Sequence, residues 1–205
     1  MRTLRDGEEP SIHAFLATIK ASGPHGIHFQ DCSANTDLLA WVIEKITNRR
    51  YSALLSEYIW KPLGTKYPAN ITVDSLGHPI ANGGISATTR DLALLGRAML
   101  DDGNGLHAIV ADREWIVETT NGPREEIASV NWFQDLHPGG WYRNQWWMSN
   151  GVNREFSCVG IYGQYLWLDP TTKPVIVKFS SLPIATDPNH TRKRKERVRR
   201  FSHLN

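Results

Sequence analysis

Phe29-Gln30-Asp31-Cys32-Ser33-Ala34-Asn35-Thr36-Asp37-Leu38-Leu39 opens the stretch that decides how this chain is organised, and Ala81-Asn82-Gly83-Gly84-Ile85-Ser86-Ala87-Thr88-Thr89-Arg90-Asp91-Leu92 closes it. Asn35 and Thr36 are helix-capping residue types, and Leu38, Leu39, Trp41, Val42, Ile43 and Ile46 follow at a 3.6-residue period. The spacing predicts a helix ending near Asn48-Arg49. A second helix is expected over 52–59, burying Leu54, Leu55, Tyr58 and Ile59 and stopped by Pro62 and Gly64. Pro68, Gly77, Pro79 and two successive glycines make 65–84 read as an ordered loop. Thr88, with Asp91 three residues on, has the spacing of a capping box and opens a helix through Leu92, Leu95, Met99 and Leu100, ending at Asp102-Gly103.

Upstream, residues 11–20 form a short amphipathic helix candidate that Ser22-Gly23-Pro24 terminate. Downstream, Asp112 caps another over Trp115, Ile116 and Val117. After Gly139 the pattern turns from helix to strand. Segments 142–148, 158–168 and 175–180 are rich in aromatic and β-branched residues, separated by Ser149-Asn150-Gly151 and Asp169-Pro170-Thr171-Thr172. Connections this short imply an antiparallel meander, because parallel neighbours need a crossover of about a dozen residues. Helices first and strands afterwards make an α+β class.

A formal charge of +2 is too small to draw the whole molecule to nucleic acid, which is not an expected partner. The charge is uneven: Arg192, Lys193, Arg194, Lys195, Arg197, Arg199 and Arg200 crowd the end of the chain, and the rest is acidic. Residues 186–205 read as a basic, disordered or loosely helical tail on a body spanning 1–185. Cys32 and Cys158 have neither disulfide-scaffold nor zinc-site spacing and read as reduced structural thiols. Eight scattered histidines, His25 and His28 included, show no ligand pattern, so neither metal nor cofactor is expected. The first residues lack the apolar segment of a signal peptide, and no apolar run reaches the ~18 residues of a membrane span. A cytoplasmic protein is expected, unless a preceding segment carries an export signal. Trp132, Trp141, Trp146, Trp147 and Trp167 fall close together, suited to a pocket wall or a packed core. Packing is the expectation for most, and the adjacent Trp146 and Trp147 must point to opposite faces of a strand.

The order of these blocks resembles the serine hydrolases of the β-lactamase and penicillin-binding-protein superfamily, especially their esterase and 6-aminohexanoate-dimer hydrolase branch. The resemblance implies a helical region followed by an antiparallel sheet with flanking helices, and an acyl-enzyme route for ester or amide hydrolysis. It also implies a nucleophilic serine one helical turn before a lysine that takes its proton. No serine of this chain has lysine three residues later. The family order would place that motif ahead of Met1, making this an incomplete hydrolase domain. The family's second motif, Tyr-x-Asn or Tyr-x-Ser, falls on Asp31-Cys32-Ser33. Ser33 agrees, while Asp31 stands where the proton-shuttling phenol belongs and, with a carboxylate's pKa of ~3.9, does not inherit its role. The third motif, Gly-Ile-His-Gly-Gln or a variant, matches Gly160-Ile161-Tyr162-Gly163-Gln164. It implies a cleft-edging strand whose glycine admits an acyl group to the backbone, with Tyr162, Gly163 and Gln164 as substrate-binding residues.

Three functions fit. The first is a β-lactamase-related hydrolase of small ester or amide substrates, here without its nucleophile. The others are an inactive binding module that keeps the cleft and an interaction protein that uses the basic tail. A sheet without its N-terminal strands should expose an edge or apolar face, so self-association is expected.

Overall fold

The computed structural model describes residues 11–21, 23–24, 29–121 and 138–185. Five helices are described: α1 (Ile12–Thr18), α2 (Ser33–Thr47), α3 (Tyr51–Leu55, whose last turn continues π-wound over Ser56–Trp60), α4 (Thr89–Leu100) and α5 (Arg113–Asn121). The strands are β1 (Asn70–Ile71), β2 (Ile85–Ser86), β3 (Trp141–Arg143), β4 (Trp146–Met148), β5 (Phe156–Val159), β6 (Tyr165–Leu168) and β7 (Val175–Lys178). The chain forms two compact units, one from Met1–Lys61 with Tyr67–Thr88 and the other from Pro62–Lys66 with Thr89–Asn205. Trp132, the basic run 192–200 and His25, His28, His137, His190 and His203 lie outside the described residues.

In the first unit, α2 corrects the expectation drawn from its capping residues. It starts at Ser33 with Cys32 at the cap position, so Asn35 and Thr36 lie inside the helix. It ends as expected at Asn48, which takes the left-handed conformation of a helix C-terminus. Its packed stripe is Asp37, Ala40, Trp41 and Glu44, at i, i+3, i+4 and i+7, with Asp37 and Ala40 fully buried. Leu38, Leu39, Val42, Ile43 and Ile46 are exposed, Ile46 by 79%. The reason is polar. Asp37 Oδ1 accepts the N–H groups of Ala81 (2.7 Å) and Asn82 (3.0 Å), Oδ2 accepts Asn82 Nδ2 (2.5 Å), and Glu44 Oε1 accepts Tyr51 N–H (2.8 Å). Buried loop amides need acceptors, so the carboxylates turn inward and the leucines and isoleucines outward. In the next helix Leu54 is buried and Tyr58, expected inside, is exposed. The 65–84 loop is ordered as expected: β1 and β2 pair antiparallel, with Asn70 opposite Ser86 and Ile71 opposite Ile85.

The second unit carries the sheet, in the order β3-β4-β5-β6-β7 with every neighbour antiparallel, so the expected meander has five strands and not three. Segment 142–148 is a hairpin turning at Asn144 and Gln145, both at positive φ (48° and 70°), the two-residue turn that matches the strands' twist. Segment 158–168 is likewise divided, by a 3-10 turn at Ile161–Gly163. One sheet face carries Trp141, Trp146, Met148, Phe156, Leu166 and Leu168, packed with Met99 of α4 and Ile116 of α5. Trp146 meets Phe156 edge-on at 5.2 Å. Trp147 lies on the other face, paired with Tyr142 at 4.7 Å, so the two adjacent tryptophans do point opposite ways and both are buried. The helix expected from Thr88 begins at Thr89, and Asp91 Oδ1 accepts Lys66 N–H at 2.8 Å. Gly96 lets α4 approach the sheet: a Cβ there would lie 2.6 Å from Val175 Cγ1 and 3.1 Å from Leu166 Cδ1.

The β6–β7 connection is closed by Asp169, fully buried. It accepts Thr171 N–H (2.7 Å), Thr172 N–H (3.2 Å), Thr172 Oγ1 (2.8 Å) and Asn153 Nδ2 (2.8 Å). Burial pushes its pKa up, but the Thr172, Thr171 and Asn153 donors together pull it below the usual carboxylate range. Both cysteines are free. Burial pushes the Cys158 thiol up to about 12, so it stays an unreactive thiol.

Candidate functional site

The residues read as the third motif form a turn, not a strand. Gly160 is extended, Ile161–Gly163 make one 3-10 turn, and Gln164 returns to extended backbone at the start of β6. Tyr162 (φ 56°) and Gly163 (φ 87°) are both left-handed. At Gly163 the positive φ strains any side chain, and a Cβ would also meet the tip of Leu182, Cδ1, at 2.8 Å. Tyr162 is held there at some conformational cost by its surroundings. Its N–H donates to Ala185 O (2.8 Å) and its carbonyl accepts Leu182 N–H (3.1 Å), lacing the turn to the chain that leaves β7. The residue as a whole is left 44% exposed.

Gln164 and Lys178 complete this lacing. Gln164 Nε2 donates to Ser180 O (2.5 Å) while its Oε1 accepts Ser180 N–H (3.0 Å), so one side-chain amide satisfies both backbone groups of Ser180. Lys178 Nζ donates to Gly163 O (3.2 Å) and bonds Ser180 Oγ. Tyr162, Gly163 and Gln164 are thus brought together with Lys178 and Ser180, two residues the motif match did not single out. Strand alternation contained the signal, because residues two apart along Lys178-Phe179-Ser180 share a face.

The residues read as the second motif lie in the first unit, at the entry to α2. Asp31 is exposed, Cys32 is the cap residue and Ser33 is the first helical residue, also exposed. The residue that ties this block to Asn82-Gly83-Gly84 is Asp37, through the three bonds described above. Asp37 stood unremarked in the quoted stretch, where a carboxylate inside an apolar helical pattern was the available sign. The glycine pair has its own geometry: Gly84 N–H donates to Ile80 O (3.0 Å), Gly84 O accepts Thr72 N–H (2.7 Å), and a Cβ at Gly84 would lie 2.4 Å from Ile80 O.

Among the described residues no three His, Cys, Asp or Glu side chains gather as metal ligands, and no helix is long and apolar enough to cross a membrane. What the third-motif turn offers chemically is a glycine-opened backbone, an exposed phenol and a half-buried ammonium. That inventory suits recognition of a polar carbonyl compound, and it contains no serine–base pair in the family's Ser-x-x-Lys arrangement.

Comparison with known proteins bears on the family and the fold. The family described as Beta-lactamase matches residues 2–199. A 6-aminohexanoate-dimer hydrolase of Paenarthrobacter ureafaciens is 44% identical over 182 residues, covering 89% of this chain and 46% of the relative. A Bacillus anthracis structure provisionally described as a 6-aminohexanoate-dimer hydrolase superposes with a TM-score of 0.80 at 29% identity, covering 94% of this chain and 48% of the other. A penicillin-binding protein of Bacillus halodurans shares the fold at a TM-score of 0.68 and 12% identity, over 92% of this chain and 63% of that one. The chain spans about half the length of the 6-aminohexanoate-dimer hydrolase relatives it matches. Match, identity and fold together show that the chain belongs to the beta-lactamase family, the serine hydrolases its sequence blocks resemble.

Proposed function

We propose that this chain supplies the substrate-recognising portion of a β-lactamase-related hydrolase for ester or short amide bonds and does not itself form the acyl-enzyme. Tyr162, Gly163 and Gln164 are the substrate-binding residues in this reading, within a hydrolase-related body of residues 1–185. The observation that carries it is the laced turn: bonds of Tyr162 with Ala185 and Leu182, of Gln164 with Ser180 and of Lys178 with Gly163 hold an exposed tyrosine in a left-handed conformation beside a left-handed glycine. Strain maintained by that many contacts fits a binding function. Asp31 and Ser33 occupy the second-motif positions, where a carboxylate cannot act as a phenol of pKa ~10 would. The 6-aminohexanoate dimer is the natural probe, given the relatives' names. Calorimetric titration should show saturable binding without release of monomer, weakened at least fivefold by Tyr162→Ala. Absence of binding, or hydrolysis by the chain alone, would overturn the reading.

Self-association belongs to the same proposal. The exposed Leu39, Val42, Ile43 and Ile46 form one apolar stripe on α2, a 15-residue helix about 22 Å long. A single helix face buries well under the ~800 Å² per partner typical of stable complexes, so weak association is expected from it.

A further inference from the structure

Three rings meet in the first unit. His13 of α1 lies on Trp41 of α2 with centroids 4.3 Å and planes 11° apart, and its ring also meets that of His78 at 3.8 Å, tilted by 34°. His78 is fixed in turn by Asp74, whose carboxylate bonds its N–H (2.8 Å) and its Nδ1 (3.0 Å). The same carboxylate accepts Ile12 N–H at 2.9 Å, the first residue of α1. One aspartate therefore holds one imidazole directly and sets the helix that carries the other.

Among the described residues, α1 has few other attachments. It has seven residues, Leu16 alone among them is buried, and its N-terminus is capped locally by Ser11 Oγ accepting Ala14 N–H at 3.1 Å. The ring stack is thus a large share of its attachment. Neutral imidazoles stack favourably on an indole and on each other, whereas two imidazoliums at this separation repel. Glu44 and Asp74 favour charge on His13, while His78 and Lys45 oppose it. Burial first, and His78 second, set the balance and hold the His13 pKa below its ordinary value. A free histidine titrates near pH ~6.5, so as pH falls below that value protons bind the undocked helix better than the docked one. Asp74 titrates elsewhere: burial raises its pKa, but hydrogen bonds from His78, Ile12 and Leu76 bring it to about 2.

We propose that the His13–Trp41–His78 stack is a pH-operated latch, closed on α1 when the His13 ring is neutral and released in mildly acidic solution. The latch is independent of the substrate reading above. Hydrogen exchange of the full chain tests it, with rates corrected for the intrinsic effect of pH. Between pH 7.5 and 5.0, protection over residues 12–18 should fall at least tenfold while that over 33–47 holds. His13→Phe keeps an aromatic ring without a proton site and should remove the pH response, while His78→Gln, which leaves the burial of His13 in place, should reduce it. The latch is refuted if protection over 12–18 is absent at pH 7.5, if it does not change with pH, or if the same change persists in His13→Phe.

Discussion

The two units solve the problem of burying polar backbone and apolar side chains in opposite ways. In the second, a five-stranded sheet sets Trp141, Trp146, Met148, Phe156, Leu166 and Leu168 against Met99 and Ile116, both of which the expected apolar patterns contain, while Trp115 and Val117 of the same expectation stay exposed. In the first, the longest helix turns Asp37 and Glu44 inward to serve loop amides and presents Leu39, Val42, Ile43 and Ile46 to solvent. Periodicity identifies a helix in both cases. It identifies the inward face only when apolar contact, and not hydrogen bonding, decides the packing.

Truncating the sheet core should have the largest effect on this contrast. Trp146→Ala removes a buried ring packed on Phe156 and should destabilise the second unit by about 3–5 kcal/mol in denaturant unfolding. The corresponding apolar truncation on α2, Ile46→Ala, should change stability by less than about 0.5 kcal/mol, as for an exposed site. A large cost there would mean that the α2 stripe is covered in solution. Next comes Asp37→Ala, which leaves three donors without their acceptor and should destabilise the first unit by about 2–3 kcal/mol.

Smaller still is Gly96→Ala, which asks α4 to back away from Val175 and should cost about 1–3 kcal/mol by overpacking. Acid should act on the two units at different pH. Asp74 and Asp169 both have depressed pKa values, so their contributions are complete above the unfolded-state pKa near ~3.9 and are lost as pH falls through the folded values. For Asp74 that window runs down to about 2. Any loss of structure between pH 7 and 5 must come from another group, and among the described residues His13 is placed to supply it. Last, Ile46→Lys should lower self-association in sedimentation without altering the melt.

How much of this was legible in the sequence depended on which force set each element. The Thr88 helix start and the antiparallel meander follow from local chemistry and short connections, and both are present. Asn144-Gln145 carries a weak turn signal, since glutamine is no usual left-handed residue, yet the flanking ladder of Arg143 on Trp146 holds it there. Gly160–Gln164 looked like a strand glycine because its neighbours are β-forming. The contacts that bend it, from Gln164 to Ser180 and from Lys178 to Gly163, span 15 or 16 residues and are invisible to a local pattern. Asp37 is the same lesson at longer range, with partners 44 and 45 residues away.

The central proposal is that this chain recognises a carbonyl substrate and, with no Ser-x-x-Lys motif among its residues, does not form the acyl-enzyme itself. Its most direct test is intact-mass and peptide-mapping analysis after incubation with a p-nitrophenyl phosphonate ester, which phosphonylates activated serines. The mass should be unchanged, with the 6-aminohexanoate dimer still bound saturably. A stoichiometric adduct on any one serine, lost on its substitution by alanine, would contradict the account.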